Sequence, residues 1–323
     1  MIPIEKLQAV KTIITHENCA DGVVSAMFLH EVLPEAEIRF VQYGTEERLT
    51  LEATPGMLFC DFTPHPDHVQ KFVEAGAIVL DHHKGAQGDV AAFGENGVFG
   101  DEVGQPGVCG AVLAYREVWL PMSHDLPESS RMIGEEIALL TGVRDTWLNE
   151  HPLWEAACIA ATALRPSTSV FPAESWLALK HPFSPENQKW WAGRFEVGEW
   201  LNKKKNQSVE KALKGAHHFT SSRGTRVVLF SGITLSSDAA ESVGATADLV
   251  VGFDYVGIEA GAGTLVFSTR SHIDFNCVSF CKFWGGGGHT KAAGFSVKFN
   301  IAEGAQDPYS VFAMHLERYE ASL

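Results

Sequence analysis

At 323 residues the chain is long enough for two domains and too long for one comfortable core. Its 45% hydrophobic and 20% charged residues are those of a globular protein, and no stretch approaches the roughly 20 apolar residues of a membrane span. With 25 Lys plus Arg against 40 Asp plus Glu, the formal charge is −15. No basic stripe of the kind that tracks a long phosphate backbone is visible, so a polyanionic substrate is expected to be short and held locally. Met1 to Val10 lacks the basic start and apolar core of a signal peptide, which makes a cytoplasmic protein the expectation. The six cysteines, at 19, 60, 109, 158, 277 and 281, show no zinc-ribbon spacing and are expected to be reduced.

Val10 to Thr15 is predicted as the first strand, running into His16, Cys19, Asp21 and Gly22. The apolar positions Val23, Val24, Ala26, Met27, Leu29 and Leu33 then predict a helix stopped by Pro34. His16, Cys19 and Asp21 therefore fall on a strand-to-helix loop, and together they suit a metal or phosphate role. Glu37 to Tyr43 alternates as a strand, and Gly56 to Asp61 is a short apolar run ending in a carboxylate. A helix is predicted from about Pro66 to Ala75. Ala77 to Leu80 reads as a buried strand that hands over to Asp81, His82, His83 and Lys84. Three strand ends carrying metal-competent side chains, in a repeated strand-helix pattern, predict convergence on one edge of a parallel sheet.

Gly94 to Gly110 reads as a glycine-rich connection into a helix from about Cys109 to Leu120. Its start, Gly107 to Gly110, fits either a tight packing turn or backbone N–H groups aimed at an anion. Arg131 to Thr141 is predicted as an apolar helix delivering Asp145, and His151 to Leu164 as an Ala-rich helix. Arg165 to Val170 and the prolines at 172, 182 and 185 break the pattern. A long helix from about Pro185 to Lys214 follows; its stripe of Trp190, Trp191, Phe195, Trp200 and Leu201 reads as packing, and Lys203 to Lys205 as a solvated face. The boundaries expected are 1–165, a linker and bridging helix at 166–214, and a smaller unit at 215–323.

In that last unit, strands are predicted at Thr225 to Ser231, Asp248 to Tyr255 and Gly263 to Thr269, the last reaching Arg270, Ser271 and His272. Helices fall near Asp238 to Val243 and Asn276 to Phe283. Gly285, Gly286, Gly287 and Gly288 then precede His289, Thr290 and Lys291, with a final strand beyond Ala292. Four glycines serve close backbone approach or an anion-binding nest, a flexible hinge being the alternative.

Taken in order, the His16 to Gly22 loop, Asp61, Asp81-His82-His83, Asp145, Arg270-Ser271, Gly285 to His289 and Ala292 to Phe295 resemble the DHH phosphoesterase superfamily, in the branch with a DHH-associated, glycine-rich second domain. The resemblance implies an α/β fold: an N-terminal parallel-sheet domain and a smaller C-terminal α/β domain, joined by a helical linker, with the active site in the cleft between them. It implies a pair of divalent ions, typically Mn²⁺. Asp61 would be shared by both ions; Asp21, His82 and Asp145 would complete one shell, and His16 would ligate the other. His83 would face the substrate phosphate. Arg270, Ser271, Gly286, Gly287, Gly288 and His289 would hold the far end of the substrate. The family's first loop usually carries two acidic ligands flanking one residue; here that pair reads Cys19 and Asp21, which opens the second position to Zn²⁺ or Fe²⁺.

The expected activity is a phosphodiesterase that resembles the nanoRNase and oligoribonuclease-like enzymes, hydrolysing short oligonucleotides or linear dinucleotides to nucleoside monophosphates. Alternatives are a cyclic mononucleotide, cyclic dinucleotide or nucleoside bisphosphate as substrate, or a decayed nucleotide-binding regulatory module. No long nucleic acid and no membrane are expected as partners, and a homodimer is compatible with the sequence.

Overall fold

The computed structural model describes residues 2–101, 104–165, 176, 179, 181–259, 262–288, 290–300 and 307–323. The chain divides into two compact units, Met1–Asn202 and Lys203–Leu323, and the division falls inside the long helix Gln188–Lys214. No helix among the described residues is long and apolar enough to cross a membrane.

The first unit is built on a five-stranded, wholly parallel sheet of β1 (Thr12–His16), β2 (Glu37–Val41), β3 (Met57–Cys60), β4 (Ile78–Asp81) and β5 (Gly97–Phe99), in the order β2-β1-β3-β4-β5. Alternation within the strands splits their side chains between two layers. Ile13, Leu58, Cys60, Ile78 and Leu80 pack with the helices on one face, while Ile14, Phe59, Val79 and Met57 join Phe62 and Phe72 on the other. Coverage on both faces explains why β3 and β4 are buried along their whole length, as parallel sheets require. The chain leaves β1 towards β2 and returns on the opposite side as β3. The carboxyl ends of β1 and β3 thus flank a topological switch point, the usual place for a ligand in such sheets.

Helices Ala20–Val32 and Gly110–Leu113 lie on one face of the sheet, and the π-wound continuation Ala114–Trp119 and the helices Glu128–Asp145 and Trp154–Leu164 pack on these in turn. The helix expected over Arg131 to Thr141 is longer at both ends, and Asp145 is its last residue. Strand β5 lies inside the stretch read from sequence as a connection.

The second unit holds a six-stranded mixed sheet of β6 (His217–Thr220), β7 (Arg226–Ser231), β8 (Leu249–Glu259), β9 (Ala262–Arg270), β10 (Gly287–Gly288) and β11 (Ala292–Asn300), ordered β10-β11-β9-β8-β7-β6. Among the described residues only β7 and β8 pair in parallel, around the helix Ser236–Val243. An aromatic core of Phe267, Phe280, Phe295 and Phe312 joins one face to the helices Cys277–Phe283 and Pro308–Ala321. The other face packs Val228, Phe230 and Val250 against Val209 and Ala240.

Candidate metal centre

Three adjacent strands end together. β1 closes on His16, β3 delivers Asp61 one residue beyond its last, and β4 ends in Asp81 with His82 and His83 following. The helix Glu128–Asp145 brings Asp145 to the same edge, and Asp21 enters from the first turn of the helix after β1. The donors fall into three groups, each with ligand atoms within 4.8 Å of one another: His16, Cys19 and Asp61; Asp61, His82 and His83; Asp21, His82 and Asp145. Asp61 and His82 each belong to two groups. His82 Nε2 lies 3.3 Å from Asp61 Oδ1, 3.3 Å from Asp145 Oδ2 and 3.6 Å from Asp21 Oδ2.

The donor set fits divalent cations. Three carboxylates, two of them buried, point into one small space with imidazoles and a thiol, which is the ligand chemistry of Mn, Zn and Fe. His16 Nδ1 and Asp61 Oδ2 face each other at 3.6 Å as buried atoms without a hydrogen-bond partner among the described residues. A cation between them would satisfy both, whereas uncompensated burial of such groups is costly. Burial and the charges of Asp61 and Asp145 push the Asp21 carboxyl up, and burial with Asp61 raises Asp145 against the pull of His82. Burial opposes ionisation of Asp61 as well, but the neighbouring imidazoles of His16, His82 and His83 outweigh it and hold this carboxyl well below the usual range.

Asp21 is fixed by the start of the helix at Gly110. The backbone N–H of Gly110 donates to its Oδ2 at 2.7 Å, and that of Ala111 to its Oδ1 at 2.6 Å. The Gly107 to Gly110 stretch therefore does aim N–H groups at an anion, and the anion is a side chain of the protein itself. The approach requires glycine: a Cβ on Gly110 would sit 2.3 Å from Asp61 Cβ and 2.9 Å from Asp21 Oδ2.

Asp81 is absent from the three donor groups and acts instead as a clamp. Its Oδ1 accepts from the backbone N–H of His82 at 2.8 Å and of His83 at 3.1 Å, and from His83 Nδ1 at 2.7 Å; Oδ2 accepts from the Thr63 hydroxyl. Burial disfavours the His83 cation, but the hydrogen bond and charge of Asp81 prevail and raise its pKa to about 9. With Nδ1 held by Asp81, His83 is a fixed cation beside Asp61 at neutral pH.

Sequence reasoning missed the groups behind the ligands. Gln42 Oε1 accepts from His16 Nε2 at 3.0 Å, and Nδ1, on the other side of the ring, faces Asp61. Tyr43 packs edge-on against His16 and His83, and Arg48 lies 4.5 Å above its ring while donating to the carbonyls of Thr63 and Pro64. The available signal was a further strand end: Gln42 and Tyr43 directly follow β2. Backbone strain marks the same place. The described non-glycine residues with positive φ are Asn18 (55°), Asp61 (55°) and Trp147 (60°), respectively next to Cys19, a member of the cluster, and two residues past Asp145.

In the second unit the residues expected to hold substrate have partners close by. Arg270 donates through Nε to Ser237 at 2.9 Å and through Nη1 to Ser268 and the Thr269 carbonyl, and Ser271 is bonded to the backbone of Ile273. Gly287 and Gly288 form the short edge strand β10 against Ala293 and Gly294. A Cβ on Gly286 would meet Gly294 O at 2.1 Å, and one on Gly288 (φ 136°) would meet Ala292 O at 2.5 Å; Gly287 has nothing within 4 Å. His289 lies outside the described residues.

No protein-family model matches the chain, and no curated protein matches it significantly. Solved structures do. A DHH domain described as a member of the s1p family of ribosomal proteins aligns at TM-score 0.64 and 14% identity, over 97% of this chain and 87% of that one. CDC45 from Entamoeba histolytica aligns at TM-score 0.51 and 9% identity, over 95% of each chain. RecJ from Thermus thermophilus, in complex with Mn²⁺, aligns at TM-score 0.50 and 18% identity over 99% of this chain, which spans 53% of RecJ. In its fold, then, the chain is similar to a DHH domain.

Proposed function

We propose that the protein is a metal-dependent phosphodiesterase that hydrolyses short oligonucleotides or linear dinucleotides to nucleoside monophosphates. The observation that carries this reading is a chain of three donor groups that overlap at Asp61 and at His82, beside a histidine held cationic by Asp81. His16, Cys19 and Asp61 would hold one divalent ion, and Asp21, Asp61, His82 and Asp145 the other. When bound, such ions polarise a phosphoryl group and lower the pKa of water, which is the chemistry phosphodiester hydrolysis needs. His83 offers its Nε2–H to a phosphoryl oxygen or to the departing alkoxide, while Asp81 keeps the ring oriented and charged. Gln42 holds His16 in the tautomer that presents Nδ1. Mn²⁺ is the ion proposed for the oxygen-rich position, a choice in keeping with the RecJ structure, which carries Mn²⁺ on this fold. The net charge of −15 favours short substrates over long ones.

The test is mononucleotide release from a 5′-phosphorylated diribonucleotide with Mn²⁺, in the native protein and in Asp61→Ala. Turnover that disappears in the variant supports the proposal. Nucleotide binding without turnover under any divalent ion would instead make the protein a regulatory module.

A further inference from the structure

We propose that the two halves of this centre are chemically unequal, and that Cys19 makes the half bounded by His16 and Asp61 selective for a thiophilic ion such as Zn²⁺ or Fe²⁺. The inference rests on reading the cluster as a metal centre and deepens it by assigning a different ion class to each half.

The asymmetry is in the donors. His16, Cys19 and Asp61 offer one imidazole, one sulfur and one carboxylate, whereas Asp21, His82 and Asp145 offer two carboxylates and one imidazole. Sulfur favours Zn and Fe, while carboxylate-rich sites suit Mn and Mg. Asp61 also groups with His82 and His83, its Oδ1 lying 3.3 Å from His82 Nε2, so it borders both halves, and these are distinguished by what else they hold.

Cys19 also differs from the other cysteines. Cys60, Cys109, Cys158, Cys277 and Cys281 are buried, as apolar packing of a thiol requires, but Cys19 is partly exposed. Its Sγ lies 3.9 Å from Asp145 Oδ1, at the long limit for a sulfur hydrogen bond, and within 4.8 Å of donor atoms of both His16 and Asp61. Two atoms in that half, His16 Nδ1 and Asp61 Oδ2, are buried and unpartnered among the described residues, so the thiol borders a space already lacking a positive group. The strained backbone of Asn18 immediately precedes it. On ion binding, Sγ releases its proton to solvent and donates a lone pair to the cation; no electron is transferred and no bond within the chain breaks.

The full-length protein, stripped with chelator, would be titrated with Co²⁺ and followed by near-ultraviolet absorbance and calorimetry. The expected result is a sulfur-to-cobalt charge-transfer band that saturates at one ion per chain and is absent from both Cys19→Ser and Cys19→Asp. Zn²⁺ should erase the band at one equivalent, and excess Mn²⁺ should leave it. In Cys19→Ser, Zn²⁺ affinity should fall by about tenfold or more while Mn²⁺ affinity changes by less than about threefold. Cys19→Asp keeps a ligand in place, so it separates loss of sulfur from loss of fold. Co²⁺ binding without the band, or a band that survives in Cys19→Ser, overturns the inference alone. Absence of any Co²⁺ binding that Asp61→Ala removes overturns the metal-centre reading beneath it.

Discussion

The carboxyl edge of the first sheet and the glycine strand of the second unit were both expected to carry chemistry, and they are built on opposite terms. At the first, acidic groups crowd together with two buried atoms left unpartnered among the described residues, and the backbone is strained at Asn18, Asp61 and Trp147. At the second, Arg270 is engaged by Ser237 and Ser268, and two of the glycines are dictated by neighbouring backbone. A motif of rare residues can thus mean either stored chemistry or tight packing. Among the described residues the second region has an unpartnered buried atom too, the indole Nε1 of Trp284, so what distinguishes the two is the facing pair of an imidazole nitrogen and a carboxylate oxygen.

The sharpest way to break this contrast is Asp61→Asn. It removes a charge common to two donor groups, and should lower metal affinity and turnover by more than about 100-fold, beyond the 10–100-fold usual for residues behind the ligands. Calorimetry with Mn²⁺ and the dinucleotide assay would measure it; full metal binding in the variant would end the claim that Asp61 organises the edge. Gln42→Ala should cost about 10–100-fold in metal affinity with the fold intact by circular dichroism, because the His16 tautomer is no longer fixed. An unchanged affinity would make Gln42 merely a turn residue.

Gly110→Ala should destabilise the first unit by about 1–3 kcal/mol in denaturant unfolding, since the new methyl collides with Asp61. Wild-type stability would mean that the helix start can back away from Asp21. His83 gives a pH signature in the metal-free protein. Its pKa rises from 6.5 to about 9 on folding, so the stability it confers is complete below about pH 6.5 and lost as pH rises through about 9. Thermal unfolding of native protein and His83→Asn should converge across that window; parallel profiles would remove the Asp81 clamp from the account.

The smallest effect is expected at Gly287→Ala, within about 0.5 kcal/mol, because a Cβ there meets nothing. If that variant keeps its stability but loses substrate affinity, the glycine strand is a binding surface after all, and the contrast between the two regions narrows.

Much of this was legible in the sequence because burial on both faces leaves uninterrupted apolar runs. Met57–Cys60 and Ile78–Asp81 stand out for that reason, and their polar endings mark the edge. Gln42 was not legible: it serves His16 only because β1 pairs with β2 in the register His16 to Val41, a relation between segments that local patterning does not encode. Strand β5 has three residues, too few for periodicity, and β6, His217–Thr220, is mostly exposed. The helix Pro308–Ala321 did announce itself, through Asp307 capping Tyr309 and Ser310 with Pro308 at the first position, and was overlooked beside the glycine motif.

The donors at the edge come from places as far apart in the chain as His16 and Asp145, with Asp61 and His82 between. No short fragment can assemble them, so an ion that recognises the set recognises the completed first unit and not its unfolded ensemble. Ion supply would then act as a folding ligand: free cation at 100 times its dissociation constant adds about 2.7 kcal/mol to the stability of that unit. Metal starvation would consequently lower the amount of intact protein as well as the activity of each molecule, and a thermal-shift scan against metal concentration would read the two together.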